Sequence, residues 1–458
     1  MDIGIIGAGI AGLAAAVTLR RAGHEVEIFE KSTFKNEIGA AILITPNGNK
    51  ILKRWGFDFE KAGPVGFEQF RWIDGQTLKT VIREDFSGVE ARFGERMRAY
   101  HRVDLHTGLR ELAEAEKEGW ARPAKVRLGA EVVSVDVETG SLVSKDGTRV
   151  EKDLVVVANG CHCEFLEAIT GSHTPNIKIG KSVYRWLAPM SSVKSHPIAG
   201  KLWENQAPGF VSFFNDSGIM MVTYPCRNST LLNCAVFHNT RPEERNKEDW
   251  NATTSHARVL EAMDGFSDAV RALPQMVPEG EIKVYTVTQR APSTQVYNGR
   301  VLAIGDTVHY MLPTHAQGGV SALEDAAALE VLFGSSEFRS SPAPEVLEKT
   351  LQLYSQLRLP RSATTQILSS TNPRMTMEGL ASKTEEIRKF YGGELVDWPM
   401  GCTSWSEPIR EFFYGYDVFE QAEKVMQYRE SGLIPEGVLK WFGDVAKSET
   451  KSEYAGTA

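Results

Sequence analysis

The chain has 458 residues, 42% of them hydrophobic and 24% charged, which indicates a globular protein of two or three domains with a sizeable core. Its formal net charge of −8, without a basic block, argues against nucleic acid as a partner, and its five cysteines are too few and too scattered for a disulfide framework. No apolar run predicts a membrane span, so we expect a cytoplasmic protein, either a monomer or a homodimer.

The first predicted element is an apolar strand that runs into the glycine-rich turn Gly7-Ala8-Gly9-Ile10-Ala11-Gly12. Gly7 permits the tight turn, Gly9 lets a pyrophosphate approach the backbone, and Gly12 lets the next helix pack on the strand. The N–H groups that open this helix suit phosphates. A second strand ends in Glu30, whose carboxylate can accept hydrogen bonds from ribose hydroxyls. This segment predicts a dinucleotide site but leaves NAD and FAD open.

The central and C-terminal regions of the chain indicate that the nucleotide-binding domain is assembled from separated segments. An amphipathic helix is predicted over 103–119, and residues 176–290 alternate short strands and loops, as in an antiparallel sheet. The predicted boundaries, in chain order, are a first nucleotide-binding segment over 1–70, a sheet-domain segment over 71–97, a second nucleotide-binding segment over 98–175, the substrate-binding sheet domain over 176–290, a third nucleotide-binding segment over 291–370 and a helical region over 371–458.

A second nucleotide signal lies in residues 301–325, VLAIGDTVHYMLPTHAQGGVSALED. A buried strand ends in Gly305-Asp306, where the carboxylate is placed to bind a ribityl hydroxyl. After a proline loop, Gln317-Gly318-Gly319 open a helix whose N–H groups suit the electron-rich N1/C2=O side of a flavin. The glycines leave room for the isoalloxazine ring. This segment therefore favours FAD.

With these two motifs in this order, residues 1 to about 375 resemble the class A flavoprotein monooxygenases, the family of p-hydroxybenzoate and salicylate hydroxylases. The resemblance implies a mixed α/β and α+β fold: a Rossmann-like FAD-binding domain of glutathione-reductase type, an inserted antiparallel-sheet substrate domain and C-terminal helices. His101-Arg102-Val103-Asp104-Leu105 looks like the family's HRxDL helix start, whose arginine commonly contacts FAD. The FAD-binding residues that the resemblance implies are Gly7, Gly9, Gly12, Glu30, Lys31, Ala41, Arg102, Asp306, Pro313, Gly318 and Gly319.

One motif departs from the family pattern. The usual Asp-Gly-x-x-Ser-x-x-Arg after a strand is replaced by Asn159-Gly160-Cys161-His162-Cys163-Glu164-Phe165-Leu166. In the family this motif is tied to both FAD and the nicotinamide cofactor. The resemblance implies NADPH or NADH as the reductant, and the lost arginine leaves the choice between them open. The Cys161-x-Cys163 pair has no matching Cys/His cluster elsewhere, so no metal site is predicted.

Two residues of the predicted sheet domain are candidate catalytic residues. Arg185 is a charge inside the apolar strand SVYRWLAPM, and Tyr224 ends the strand MMVTYPC. In fungal relatives that hydroxylate phenols, an arginine and a tyrosine in such strands face the flavin. A fixed cation lowers the pKa of a phenol and so favours its attack on a flavin C4a-hydroperoxide, while a tyrosine can orient the substrate oxygen. The alternative is that Arg185 pairs with a carboxylate and Tyr224 only packs.

The predicted function is that of a fungal, salicylate hydroxylase-like FAD monooxygenase of secondary metabolism, which uses NAD(P)H and O2 to oxygenate a small phenolic substrate. Decarboxylative hydroxylation of a salicylate-like acid is one variant of this activity. One alternative is a flavin epoxidase or an indole or alkene oxygenase on the same fold, which needs no phenolate. Another is a non-enzymatic flavin-carrying protein, which the altered Asn159 motif keeps open.

Overall fold

The computed structural model describes residues 1–34, 40–245, 251–338, 340–371, 377–390, 407–435 and 438–439. Its strands are β1 (Asp2–Ile6), β2 (Glu25–Glu30), β3 (Ala41–Ile44), β4 (Val65–Gly66), β5 (Gln69–Asp74), β6 (Thr80–Asp85), β7 (Arg98–His101), β8 (Lys125–Leu128), β9 (Val132–Asp136), β10 (Ser141–Ser144), β11 (Arg149–Glu151), β12 (Leu154–Val157), β13 (Ile177–Pro189), β14 (Gly209–Phe214), β15 (Met220–Cys226), β16 (Leu231–Asn239), β17 (Lys283–Gln289), β18 (Tyr297–Asn298) and β19 (Val301–Ala303).

The α-helices alternate with these strands and continue beyond the last of them. They are α1 (Ile10–Arg21), α2 (Pro46–Arg54), α3 (Phe59–Ala62), α4 (Val89–Phe93), α5 (Arg102–Glu114), α6 (Leu166–Thr170), α7 (Met190–Ser195), α8 (His256–Ala262), α9 (Asp268–Arg271), α10 (Asp306–His309), α11 (Gly318–Leu332), α12 (Pro344–Ser369), α13 (Met377–Arg388), α14 (Glu407–Tyr414) and α15 (Val418–Val425). None of these helices combines the length and the apolar composition needed to cross a membrane. Stretches of the predicted helical region, 372–376, 391–406, 436–437 and 440–458, lie outside the described residues.

The nucleotide-binding core is a six-stranded sheet in the order β18-β19-β12-β1-β2-β8. All neighbouring strands in it are parallel except β18 and β19. Its central strands are buried and almost entirely aliphatic, as expected for strands covered on both faces. Because parallel strands end at the same edge, the segments that follow β1, β12 and β19 meet in one crevice, where ligands bind in such folds.

The inserted domain is built on a seven-stranded sheet in the order β17-β13-β16-β15-β14-β5-β6. Its neighbouring strands are antiparallel apart from the parallel pair of β14 and β5. One face packs, through side chains such as Tyr184, Trp186 and Phe213, against a core that includes residues of α7, α8 and α9. The opposite face contributes Phe70, Val222 and Tyr224 to the core of the nucleotide-binding domain. Alternation along each strand thus divides the sheet into a structural face and a face directed at the nucleotide-binding domain.

Helix α5 is shorter than the sequence predicts, because a buried arginine takes up the backbone oxygens at its end. The helix ends at Glu114 instead of continuing to 119. The guanidinium of Arg20, which is 0% exposed, donates hydrogen bonds to the carbonyl oxygens of Leu112, Ala113 and Ala115 at distances of 2.9, 2.7 and 2.8 Å. Burial lowers the pKa of this guanidinium, and the carbonyl oxygens solvate its charge. The predicted mixed α/β fold is confirmed by this architecture and by its solved relatives, described below.

Candidate active site

The glycine-rich turn between β1 and α1 leaves open space where a phosphate would lie. Gly7 has a φ of +98°, and a Cβ atom on Gly12 would lie 1.9 Å from the carbonyl oxygen of Gly7. Both positions therefore require glycine for the turn itself. A Cβ atom on Gly9, in contrast, would meet no protein atom within 4 Å. The turn thus leaves the backbone beside Gly9 open to a ligand.

The carboxylate of Glu30 is held against this turn. Its Oε2 accepts a hydrogen bond from the N–H of Ala8 at 2.7 Å, and its Oε1 accepts one from the N–H of Ser32 at 2.6 Å. The ring of His106 is hydrogen-bonded to the carbonyl oxygen of Ala8 at 2.7 Å, which fixes the same residue from the other side. Glu30 is therefore oriented before any ribose arrives, as an adenosine-binding acid requires.

The altered motif after β12 is tied to the residues that follow β19. The N–H of Gly160 donates to Oγ1 of Thr307 at 3.0 Å, and this hydroxyl lies 3.4 Å from Oδ1 of Asn159. Arg290, which is 5% exposed, donates to the carbonyl oxygens of Thr307 and Cys161 at 2.5 and 2.7 Å. Asn159 can therefore still shape the turn, while Arg290 connects the two segments.

Leu166 stands where the family pattern has an arginine, and its side chain is buried in the protein core. Leu166 opens α6 and is 6% exposed. Burial raises the pKa of the nearby Cys163 thiol, which therefore stays protonated at neutral pH. Among the described residues, no group of three or more His, Cys, Asp or Glu side chains could hold a metal ion.

Asp306 and Arg102 come from distant regions of the chain and meet at the crevice. Gly305 has a φ of +62°, and a Cβ atom there would lie 2.8 Å from the Cβ atom of Ala11, so only glycine lets β19 end this close to α1. Asp306 follows with its side chain exposed in the crevice. Although solvent reaches this side chain, the protein atoms around the recess desolvate its carboxylate and raise the pKa of Asp306. The charges of His309 and Arg102 oppose that rise.

The start of α11 lies beside Asp306. A Cβ atom on Gly318 would be 3.8 Å from Oδ1 of Asp306, and one on Gly319 would be 3.0 Å from the side chain of Ile42. The first N–H groups of α11 are therefore close to the carboxylate predicted to bind the ribityl chain. Pro313 is exposed and begins a short 3₁₀ turn in the same loop.

Ala41 and Lys31, which are also predicted to bind FAD, lie in strand β3 and in the loop after β2. Ala41 is the first residue of β3, and its carbonyl oxygen accepts a hydrogen bond from the hydroxyl of Tyr224 at 3.4 Å. Lys31 is exposed in the loop after β2, and the structure indicates no specific role for it.

A buried cluster of charges braces the segment from Gly305 to His309, which is predicted to bind the flavin. The carboxylate of Asp325 accepts hydrogen bonds from the N–H of Gly305 at 2.9 Å, from Nε2 of His309 at 2.6 Å and from Nε of Arg358 at 2.9 Å. Burial alone would raise the pKa of Asp325, but His309 and Arg358 lower it to about 2. The sequence did not reveal this cluster, because its members become neighbours only through the packing of α10, α11 and α12.

The candidate catalytic residues lie together on the sheet face that is directed at the nucleotide-binding domain. The guanidinium of Arg185 lies 5.3 Å from the ring centre of Tyr285, and no carboxylate of the described residues forms an ion pair with it. Arg185 and Tyr224 are close enough that the guanidinium opposes the rise in the pKa of Tyr224, which burial causes. The ion pair that would have explained Arg185 structurally is therefore absent from the described residues.

Aromatic rings surround Tyr224 and give this face an apolar character. The ring of Phe210 stacks on Tyr224 with centroids 5.8 Å apart, and Phe70 stacks on Phe210 at 4.9 Å. Phe67 meets Tyr224 edge-on at 6.0 Å. A planar aromatic ligand could stack on these rings, beside the polar groups of Arg185 and Tyr224.

Three residues of this region were not identified from the sequence. Asn233 is a polar residue inside the apolar run 231–236, which is the signal that could have identified it, whereas Arg290 follows the mixed strand β17 and has no such signal. Tyr285 gives a weaker signal, because a tyrosine in a half-buried strand usually only packs.

The residues of the crevice fit FAD. Open backbone at Gly9, the oriented acid Glu30, exposed Asp306 in a crowded recess, and Arg102 nearby supply the contacts that a pyrophosphate, a ribose and a ribityl chain need. Gly160 likewise has no protein atom within 4 Å of a hypothetical Cβ. The crevice therefore offers open space and the kinds of polar group that the components of a dinucleotide need.

Comparison with known proteins agrees with this geometry. Residues 1–362 match the family model of the FAD binding domain. The chain is 33% identical to the FAD-dependent monooxygenase cfoG of Aspergillus candidus, over 93% of this chain and 95% of that protein. It is 26% identical to the hispidin-3-hydroxylase of Neonothopanus nambi, over 93% of this chain and 96% of that protein.

A solved salicylate hydroxylase in complex with its substrate has the same fold. Its TM-score is 0.69 at 20% identity, and the match covers 92% of this chain and 97% of the other. The family match confirms FAD as the cofactor and confirms that the protein is an oxygenating enzyme. The chain therefore belongs to the class A FAD-dependent monooxygenases, the family of the p-hydroxybenzoate and salicylate hydroxylases.

Proposed function

We propose that this enzyme hydroxylates the ring of a small phenolic substrate, with one oxygen atom taken from O2 and reducing equivalents from NADPH or NADH. The observation that carries the proposal is the Arg185 guanidinium, which has no carboxylate partner among the described residues and lies near Tyr224 on an aromatic sheet face. A cation without an anionic partner, on a partly apolar face, is suited to an anionic ligand.

The role of Arg185 follows from the chemistry of phenols. FAD, when bound, supplies the reduced flavin that activates O2 for transfer to the substrate. A phenol reacts readily with an electrophilic oxygen only after its own proton has left. Arg185 would lower the pKa of the bound phenol and hold the resulting oxyanion, so the ring carbons become nucleophilic. Stacking on Tyr285 fixes the guanidinium while its N–H groups stay available.

Tyr224 would orient the substrate oxygen. Burial raises the pKa of Tyr224 well above its ordinary value, so its hydroxyl stays protonated and can donate a hydrogen bond. This hydroxyl donates to the carbonyl oxygen of Ala41 at 3.4 Å, a long contact that is weak enough to exchange for a phenolate. The same group would thus position the reacting ring relative to the cofactor.

The proposed reductant is a nicotinamide cofactor, although the residues that would bind it differ from the family pattern. Leu166 is buried and carries no charge, and Arg290 is engaged by two backbone carbonyl oxygens. Neither residue indicates a preference for the 2′-phosphate of NADPH. The two reductants should therefore be compared directly, with the bleaching of the oxidised flavin band as the measurement.

The proposal is tested with Arg185→Met against Lys181→Met, which removes a cation from the same strand. Lys181 is hydrogen-bonded to Asn239 at 2.7 Å near the exposed end of β13. We expect Arg185→Met to lower the rate of hydroxylated product formation by about 100-fold while FAD content is kept, because an oxyanion loses its fixed cation. Lys181→Met should leave the rate unchanged.

The pH profile identifies the role of the cation. The deficit of Arg185→Met should shrink as the pH approaches the pKa of the free phenol, about 10, because solution then supplies the phenolate. A deficit that is constant with pH would contradict phenol activation. Oxidation of indole or styrene that is insensitive to Arg185→Met would favour the alkene oxygenase alternative. Failure of both NADH and NADPH to bleach the flavin would contradict a nicotinamide reductant.

A further inference from the structure

Asn233 is a buried amide whose oxygen lacks a donor. It lies in β16, is 2% exposed, and its Oδ1 atom accepts no hydrogen bond from the described residues. Leaving such an acceptor unsatisfied costs free energy, so a folded protein rarely keeps one without a use for it. The surrounding strand is otherwise apolar, Leu231-Leu232-Asn233-Cys234-Ala235-Val236, so a hydrophobic residue would suit the position better structurally.

The register of the sheet places Asn233 beside the candidate catalytic residues. It is directly opposite Tyr224 on β15 and directly opposite Leu187 on β13. Residues that face each other across antiparallel strands project to the same side, with Cβ atoms about 5 Å apart. Arg185 lies two residues before Leu187 and is therefore on the same side, diagonal to Asn233. This face of the sheet therefore carries three polar groups at adjacent positions: the amide of Asn233, the hydroxyl of Tyr224 and the guanidinium of Arg185.

The chemistry of the three side chains is complementary. Arg185 can only donate hydrogen bonds, and Tyr224 is a donor toward a phenolate. Arg185 supplies no acceptor, and the oxygen of Tyr224, although it has lone pairs, would lie against the oxyanion that its proton binds and not at a second, neutral hydroxyl. Asn233 adds an acceptor, its Oδ1 atom, at a position opposite Tyr224 and diagonal to Arg185, and its buried position would make that hydrogen bond selective.

We propose that Asn233 is a specificity-determining residue, whose Oδ1 accepts a hydrogen bond from a second hydroxyl group, meta to the oxygen that Arg185 and Tyr224 bind. This inference rests on the proposed function, because it assumes a phenolic ligand at that face. It narrows the substrate class to dihydroxylated aromatic rings. A phenol with one hydroxyl would leave the amide oxygen buried and unpaired, and would bind more weakly for that reason.

The test compares two probes that differ by one hydroxyl, 5-methylresorcinol and 3-methylphenol. Their dissociation constants are measured from the change in the visible spectrum of the FAD-loaded protein, which requires no turnover. We expect the unaltered protein to bind 5-methylresorcinol at least about tenfold more tightly. Asn233→Leu, which keeps the γ-branched shape of the side chain, should abolish this preference by weakening only the binding of the resorcinol.

Thermal unfolding separates this role from a structural one. Asn233→Leu removes an unsatisfied amide oxygen, so its melting temperature should equal or exceed that of the unaltered protein. Thr223→Val is the matched control, since Thr223 is 0% exposed and alternates with Tyr224 onto the opposite face. This variant should keep the preference between the probes.

Each outcome decides the inference. Equal affinity of the unaltered protein for the two probes would overturn it without any variant, as would a preference that survives in Asn233→Leu or a marked fall in the melting temperature of that variant. Failure of the proposed function looks different: no phenol is then hydroxylated, whatever the two dissociation constants show.

Discussion

Arg227 binds the carboxylate of Asp104 with two hydrogen bonds, from Nε to Oδ2 at 2.7 Å and from Nη2 to Oδ1 at 2.6 Å. Arg227 follows the last residue of β15, the strand that carries Tyr224, and Asp104 lies in the first turn of α5, which begins at Arg102. This ion pair therefore connects the sheet face that would bind the substrate with the helix that would contact FAD. Such a two-point contact fixes orientation as well as distance.

Removal of this ion pair should affect substrate binding more than stability. The Arg227 side chain is 42% exposed, so solvent screens the pair, and we expect Arg227→Met to lower the free energy of unfolding by only about 1 kcal/mol. Binding of a phenolic probe should weaken several-fold, because β15 and Tyr224 lose a restraint. Both quantities are measured by chemical denaturation and spectral titration. The control is Lys61→Met, which removes an exposed ion pair between α3 and Glu111 of α5. It should change neither the free energy of unfolding nor the binding of the probe.

Two glycines of the first turn should respond to alanine in different ways. In Gly12→Ala the added carbon would collide with the carbonyl oxygen of Gly7, so the variant should be less stable even without cofactor. Gly9→Ala meets no protein atom within 4 Å, so it should keep its stability without cofactor but bind FAD at least about tenfold more weakly. Thermal unfolding of the FAD-free proteins and fluorescence titration with FAD check the contrast. Unchanged FAD affinity in Gly9→Ala would place the pyrophosphate elsewhere.

Glu30→Gln should weaken FAD binding without loss of the fold. A neutral amide replaces a charged acceptor for the ribose hydroxyls, and hydrogen bonds to charged groups contribute about 1.5–3 kcal/mol. We therefore expect a loss of roughly 10- to 100-fold in FAD affinity. Glu25→Gln, at the exposed start of the same strand, is the control and should leave FAD affinity unchanged. Equal affinities for all three proteins would show that Glu30 only braces the turn.

His309 should make stability depend on pH. Burial alone would lower the pKa of His309, but Asp325 at 2.6 Å raises it above its ordinary value. A raised pKa means that this stabilisation is complete below about pH 6.5 and is lost as the pH rises through the pKa of the folded state, by about 1.4 kcal/mol for each unit of the pKa shift.

His309→Gln should therefore be less stable than the unaltered protein at acidic pH, and the difference should narrow as the pH rises. Melting temperatures between about pH 5.5 and 9 check this expectation. His173→Gln, whose side chain is 77% exposed, should not alter the profile. A stability difference that widens with rising pH would contradict a raised pKa for His309.

The fold class, FAD as the cofactor and the family could all be predicted from the order of the amino acids. Gly7, Gly9 and Gly12 could be interpreted one by one because each meets a local requirement of backbone geometry, and such requirements are written in consecutive residues. The Gly305-Asp306 segment was recognisable for the same reason. Arg185 also had a local signal, a charge in an apolar strand.

Which side chains become partners was set by the packing of the folded chain. The end of α5 depends on hydrogen bonds from Arg20. The segment from Gly305 to His309 is braced by Asp325 and Arg358, and Arg227 connects the end of β15 to α5. A role for Asn233 could be inferred only from the register of the sheet, which sets it opposite Tyr224. These relationships join residues far apart in the chain, and their energies arise from burial and exclusion of water, which no local pattern encodes.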